Sequence, residues 1–130
     1  MKSERTITLH PDGQEVEVRM LYCAATETGY EQLSGKSSDA FVARNGKDGE
    51  VIPPTAKLDD YLKLAISAIV AAYSRKGEEP PVKTGQIIYD CTAEDITQLV
   101  TTVIQMRYEW YTVPSVIKQE QQAEVEEPKN

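Results

Sequence analysis

Histidine is almost missing from this chain of 130 residues: His10 stands alone, beside two cysteines and one tryptophan. A general base needs an orienting partner within hydrogen-bond reach, and a metal ligand needs companions at matched spacing. The sequence offers His10 neither, so it reads as an exposed turn residue. Cys23 and Cys91 fit no zinc spacing and no redox pair. Free, buried thiols are the expectation, with a bridge between them left open by sequence. Positive charge is also scarce: fourteen Lys and Arg stand against twenty-one Asp and Glu, for a net charge of -7. No run of basic residues is available to neutralise phosphates, which excludes non-specific nucleic-acid binding and disfavours an anionic membrane surface.

Other absences narrow the chemistry further. The chain begins Met-Lys-Ser-Glu-Arg-Thr without the apolar core of a signal peptide. Its longest apolar run, Leu64 to Tyr73, is well short of the ~20 residues a membrane span needs. A soluble cytoplasmic protein is therefore expected. Gly35-Lys-Ser37 ends like a phosphate-binding loop, but Tyr30 stands where the upstream glycine is required. Ser34, Ser37 and Ser38 lack the glycines of a nucleophile elbow. Asp59-Asp60 and Glu78-Glu79 are adjacent carboxylates, which point apart on a helix, and Asp59 reads instead as an ion-pair partner of Lys63. No catalytic, cofactor-binding or metal-binding residue is assigned, and no enzyme activity is expected.

What the chain does contain is amphipathic patterning with one unusual helix. Thr6 to Leu9 and Glu15 to Met20 alternate with period two around Pro11-Asp-Gly13, a hairpin signal over residues 5–20. Ile7 and Leu9 would share one face with Val16, Val18 and Met20, and such a hairpin needs a helical layer to cover it. The first part of the stretch that begins at Leu21 is an optional extension of the strand. A short helix over 26–34 is opened by Thr26 or Thr28 and ended by Gly35, with Gly29 weakening it. Residues 35–54 read as a loop, with a short strand at Ala40 to Arg44 as an option inside it.

The central helix, 56–76, opens near Thr55 and closes at Arg75, Lys76 and Gly77. Its polar positions Asp59, Lys63, Ser67 and Ser74 form only a narrow stripe, where a surface helix normally shows water a wider face. It is either covered on several sides or keeps a face for a partner. Glu78-Glu-Pro-Pro81 breaks the chain, and Gln86 to Tyr89 reads as a strand or an apolar lead-in. The last helix, 92–112, has Thr92 as N-cap and Asp95 three residues on as a capping-box variant. It carries Ile96, Leu99, Val100, Val103 and Trp110 on its apolar side. Pro114 is expected to stop it, leaving 114–130 as a disordered polar tail.

The whole reads as a single α+β domain over 1–113: an N-terminal hairpin packed on about three helices. Arg107, Tyr108, Trp110 and Tyr111 have the composition of an interface hot spot or, equally, of core packing at a helix end; Trp110 falls on the apolar stripe, and Tyr108 and Tyr111 at its edge are the better interface candidates. Together with Ile66, Ile69 and Val70 of the central helix they are the candidate interface residues.

This order of elements resembles the tail assembly chaperones of long-tailed phages and prophages. The local match is Ala24-Ala-Thr-Glu-Thr-Gly-Tyr-Glu-Gln-Leu-Ser-Gly-Lys-Ser37, with Glu31 and Gly35 in the family-like positions, and the likeness extends over about residues 5–113. The resemblance implies a non-enzymatic protein that coats a long helical tape-measure protein until tail-tube subunits polymerise around it. It also implies self-association, a bacterial cytoplasmic location, no cofactor, and a longer frameshifted form. The loop from Gly46 to Pro54 departs from that pattern. Two alternatives are a structural tail or head-completion subunit of the same particle, and a small enzyme with an inter-subunit site built from His10, Asp59 and Glu31.

Overall fold

Period-two alternation produces the expected hairpin in a computed structural model, which describes residues 3–126, with side chains as far as Thr112. Strands β1 (Ser3–Leu9) and β2 (Val16–Tyr22) pair antiparallel, Ile7 opposite Val18 and Leu9 opposite Val16. Ile7, Leu9, Val18 and Met20 are buried on one face, as the alternation requires. The turn is a 3-10 turn at Pro11–Gly13. Asp12 and Gly13 take φ of 52° and 78°, which is why Asp-Gly suits the place.

Helix α1 (Ala24–Ser34) starts two residues before the expected Thr26. Cys23 is the N-cap, and Thr26 works from inside the first turn: its hydroxyl accepts from Cys23 N at 3.1 Å and donates to Leu21 O at 2.6 Å. Gly35 ends the helix with φ 73°, as expected. The stretch read as a loop over 35–54 holds more order than expected. It contains a 3-10 turn at Ser38–Phe41 and a minimal hairpin, β3 (Arg44–Asn45) with β4 (Val51–Ile52). The optional strand at Ala40 to Arg44 does not form, because Phe41 turns inward to pack on Tyr30 and Tyr61, with ring centroids 4.7 and 5.0 Å away.

The central helix α2 spans Leu58–Ser74 rather than 56–76. Its start is set by Asp60, whose buried carboxylate accepts Lys57 N at 2.9 Å, Tyr30 Oη at 3.0 Å and Lys36 Nζ at 3.2 Å. The Lys57 amide, working against burial and helped by Tyr30 and Lys36, holds the Asp60 pKa below its ordinary value. Lys63 and Asp59 form the expected ion pair at 2.9 Å. Ser67, however, belongs to no solvent stripe. It is buried and donates to Thr26 O of α1 at 2.6 Å. Gly29 permits that approach, since a Cβ at this position would stand 2.3 Å from Ser67 Oγ. The helix is thus covered on several sides, by α1, β2 and the last helix, and keeps one side open at Val70.

Residues Gln86 to Tyr89 belong to a helix, α3 (Thr84–Asp90), and not to a strand, so the hairpin packs with four helices where about three were expected. Gln86 explains the difference: its side chain accepts Lys83 N at 2.8 Å and closes a capping box after the Pro-Pro break. Helix α4 (Ala93–Glu126) begins one residue after Thr92, whose hydroxyl accepts Asp95 N at 3.0 Å as foreseen. Its backbone continues past Pro114 instead of ending at 112; a proline removes one helical hydrogen bond, a cost of about 3 kcal/mol that need not end the element. The side chains of the expected polar tail, 114–130, lie outside the described residues. Cys23 and Cys91 are free and half-buried.

One long-range contact ties the hairpin turn to α4. The buried Asp95 carboxylate accepts His10 N at 2.8 Å, faces His10 Nδ1 at 2.9 Å, and accepts Thr92 N at 3.2 Å. Burial opposes that charge, but the bonds from His10 and Thr92 outweigh it and hold the Asp95 pKa low. The same Asp95 hydrogen bond raises the His10 pKa. The His10 contribution to stability is therefore complete below the free imidazole value of about 6.5 and lost as pH rises through the raised folded value. The Asp95 contribution is complete above about 4 and lost on acidification through its lowered value. Thermal melts of the wild type should accordingly show Tm falling between pH 6 and pH 8, with a smaller fall in His10→Gln. A wild-type profile identical to that of His10→Gln would contradict the contact.

Candidate protein-interaction surfaces

The side of α2 that its neighbours leave uncovered forms an apolar groove. One lobe, about 330 Å³, is lined by Ile66, Ile69 and Val70 of α2, with Val82 and Ile87 opposite and Glu79 and Lys83 at the rim. A second lobe, about 310 Å³, continues between α1 and α2 past Leu33, Gln32 and Gly29, and shares Ile66, Val70 and Thr84 with the first. Val82 and Ile87, after the Pro80-Pro81 break, stand on one side of the groove, and Leu33 of α1 on the other. Ile66 and Ile69 are 2% and 1% exposed, so they are its floor and not outward contacts. Val70, at 42%, and Leu33, at 44%, are the side chains a partner would touch first.

Tyr108 and Tyr111 lie elsewhere, on α4. With Phe41, Tyr61, Ile104, Arg107 and Thr112 they line a cleft of about 270 Å³. The Arg107 guanidinium lies over the rings of Tyr111 and Phe41, at 4.5 and 5.6 Å from their centroids. Its Nε is 3.4 Å from Glu27 Oε2, close enough for an ion pair. Tyr22 and Tyr111 both donate to the same Glu27 carboxylate, each at 2.7 Å. Burial, then the bond to Glu27, raises the pKa of both phenols. Tyr111 is thereby held as a wall of the cleft, whereas Tyr108 is 65% exposed. Trp110 packs against the core, its ring 5.5 Å from that of Tyr22.

The five candidate residues are thus divided between two surfaces. Leu33, Val82 and Ile87 of the groove, and Phe41, Tyr61 and Ile104 of the cleft, were not read from sequence. Only the position of Ile104 beside the apolar stripe of α4 hinted at its place.

Within one chain each residue of the alternative inter-subunit enzyme site has its own partner. His10 pairs with Asp95, Asp59 with Lys63, and Glu31 accepts Ser38 N at 2.9 Å. Glu31 and Gly35, the family-like pair, therefore shape the turn after α1: Gly35 N also donates to Glu31 O at 2.9 Å. Cys91 lies beside Asp95, and burial with that neighbouring charge pushes its thiol up to about 11, far from a nucleophilic thiolate. Among the described residues no three His, Cys, Asp or Glu side chains are grouped to hold a metal ion, and no helix is long and apolar enough to cross a membrane.

The two kinds of groove residue should respond differently to charge. Ile66→Asp buries an unpaired carboxylate and should cost several kcal/mol, unfolding the isolated chain. Val70→Asp, at a rim open to water, should leave Tm within a few degrees of wild type while abolishing any binding through the groove. Circular dichroism melts of both variants test this. A folded Ile66→Asp would mean the floor is open.

Comparison with protein-family models, with curated proteins and with solved structures finds no match to this chain.

Proposed function

We propose that this chain is a non-enzymatic assembly chaperone that binds the tape-measure protein of a phage or prophage tail in the bacterial cytoplasm. The observation that supports the reading most directly is the apolar groove over Val70. An amphipathic helix lays its apolar face into such a groove through anchors at i, i+3, i+4 and i+7, and a tape-measure protein is one long supply of such helices. The net charge of -7 suits a coat that must keep an apolar, aggregation-prone partner dispersed. The likeness of the 24–37 segment and of the element order to tail chaperones adds the identity of the partner. Tail-tube subunits are further candidate partners, as the assembly that displaces the chaperone.

Co-expression with the proposed tape-measure partner, followed by sedimentation of the lysate, tests the proposal. The partner should stay in the supernatant with the wild type and pellet with Val70→Asp. Purified particles should then lack the chain by mass spectrometry. Its presence in finished particles at fixed stoichiometry would establish the structural-subunit alternative instead, and a partner that pellets regardless would remove the chaperone reading.

A further inference from the structure

The two outer edges of the hairpin are treated differently. In an antiparallel ladder the main-chain groups of alternate residues point inward to the partner strand and outward to whatever lies beside it. Four contacts identify the outward set. Arg19 N donates to Tyr73 Oη at 3.1 Å, and Leu21 O accepts from Thr26 Oγ1 at 2.6 Å. On the other strand Glu4 O accepts from Arg5 at 2.7 Å, and His10 N donates to Asp95 at 2.8 Å. Glu4 is opposite Leu21 and Thr6 opposite Arg19, so all four groups fall in one alternating series. Glu4, Thr6 and Thr8 therefore turn their peptide groups away from β2. On β2 the outward Arg19 N and Leu21 O are met by side chains of α2 and α1. On β1, among the described residues, no hydrogen bond reaches the outward N–H or C=O of Thr6 or Thr8.

Arg5 covers the outward Glu4 O at the start of this edge, but from Thr6 to Leu9 the strand carries no charge. Seven consecutive pairs run without a bulge, and β1 contains neither proline nor lysine. Helix α4 lies against both β1 and β2, beneath the hairpin, and Glu4 and Thr6 are exposed. We propose that β1 is a self-pairing edge, and that its occupant is β1 of a second copy, running antiparallel about a two-fold axis at Thr6.

The strand is its own complement in that register. Thr6 stands opposite Thr6 and Glu4 opposite Thr8, three pairs whose outward peptide groups exchange N–H···O=C bonds once Arg5 releases Glu4 O. Threonine favours strands, and no like charges face each other directly. Two hairpins become one four-stranded sheet with an isologous interface. Because each copy carries -7, raising the salt concentration should strengthen the pairing, the reverse of an interface held by ion pairs. The proposal is independent of the groove, so Val70→Asp should leave it unchanged.

Sedimentation velocity of the full chain over a concentration series, joined to amide hydrogen exchange, provides the test. The wild type should form a dimer in which the Thr6 and Thr8 amides become protected as concentration rises. Thr6→Pro removes an outward N–H while Arg5 and Ile7 keep the ladder with β2, a substitution an edge strand tolerates. It should weaken the dimer by about tenfold or more with the monomer's circular dichroism retained. A chain that stays monomeric throughout, a dimer whose Thr6 and Thr8 amides exchange freely, or a folded Thr6→Pro dimer of unchanged strength would each overturn the proposal. Should Thr6→Pro disturb the hairpin, the wild-type exchange data decide alone.

Discussion

Close approach between α1 and α2 is the constraint on which the remaining packing rests. Ser67 would be a destabilising hydroxyl inside an apolar interface if Thr26 O did not accept from it, and that bond forms only because Gly29 brings no side chain between the helices. With α1 seated there, Tyr30 reaches Asp60 and Phe41 closes over Tyr30, which orders the 38–41 turn. The opposite sides of α2 are then free for β2 and α4. A core leucine such as Leu64, fully buried at this junction, stabilises the fold by roughly 2–5 kcal/mol relative to alanine.

Polar side chains in this protein are buried in order to position elements. Asp60 starts α2 and holds Tyr30 and Lys36; Asp95 starts α4 and holds the hairpin turn through His10. Glu27 collects Tyr22, Tyr111 and Arg107 where α1 meets α4. Each carboxylate has its acceptor positions filled by groups from separate elements, which is what makes a buried charge tolerable. Beside them the surface keeps an apolar groove and the outward main chain of Thr6 and Thr8.

Features that depend on a few neighbouring residues were legible in the sequence. The β1–β2 register follows from alternation and Asp-Gly, the α4 cap from Thr92 and Asp95, and the end of α1 from Gly35. Features decided across the chain were not. Ser67 at helical spacing from Lys63 and Ser74 reads as solvent-facing until Thr26 O is known to lie against it. Thr26 reads as an N-cap, while its hydroxyl serves Cys23 and Leu21 from within the helix. Seven residues of α3 are too few for a period to declare itself, so the wall that turns α2's bare side into a groove was invisible. The same gap separated Ile66 and Ile69, which are floor, from Val70, which is rim. His10 lacked a visible partner because Asp95 lies on a distant element.

A methyl-resolved NMR titration measures the central claim most directly. A helical fragment of the partner would be added to the chain with labelled Leu, Val and Ile methyls. Binding through the groove should give saturable shifts at Val70, Leu33 and Ile87, while Ile104 beside the aromatic cleft stays in place. Shifts at Ile104 with Val70 unmoved would transfer recognition to α4, and the groove would then have no part in it.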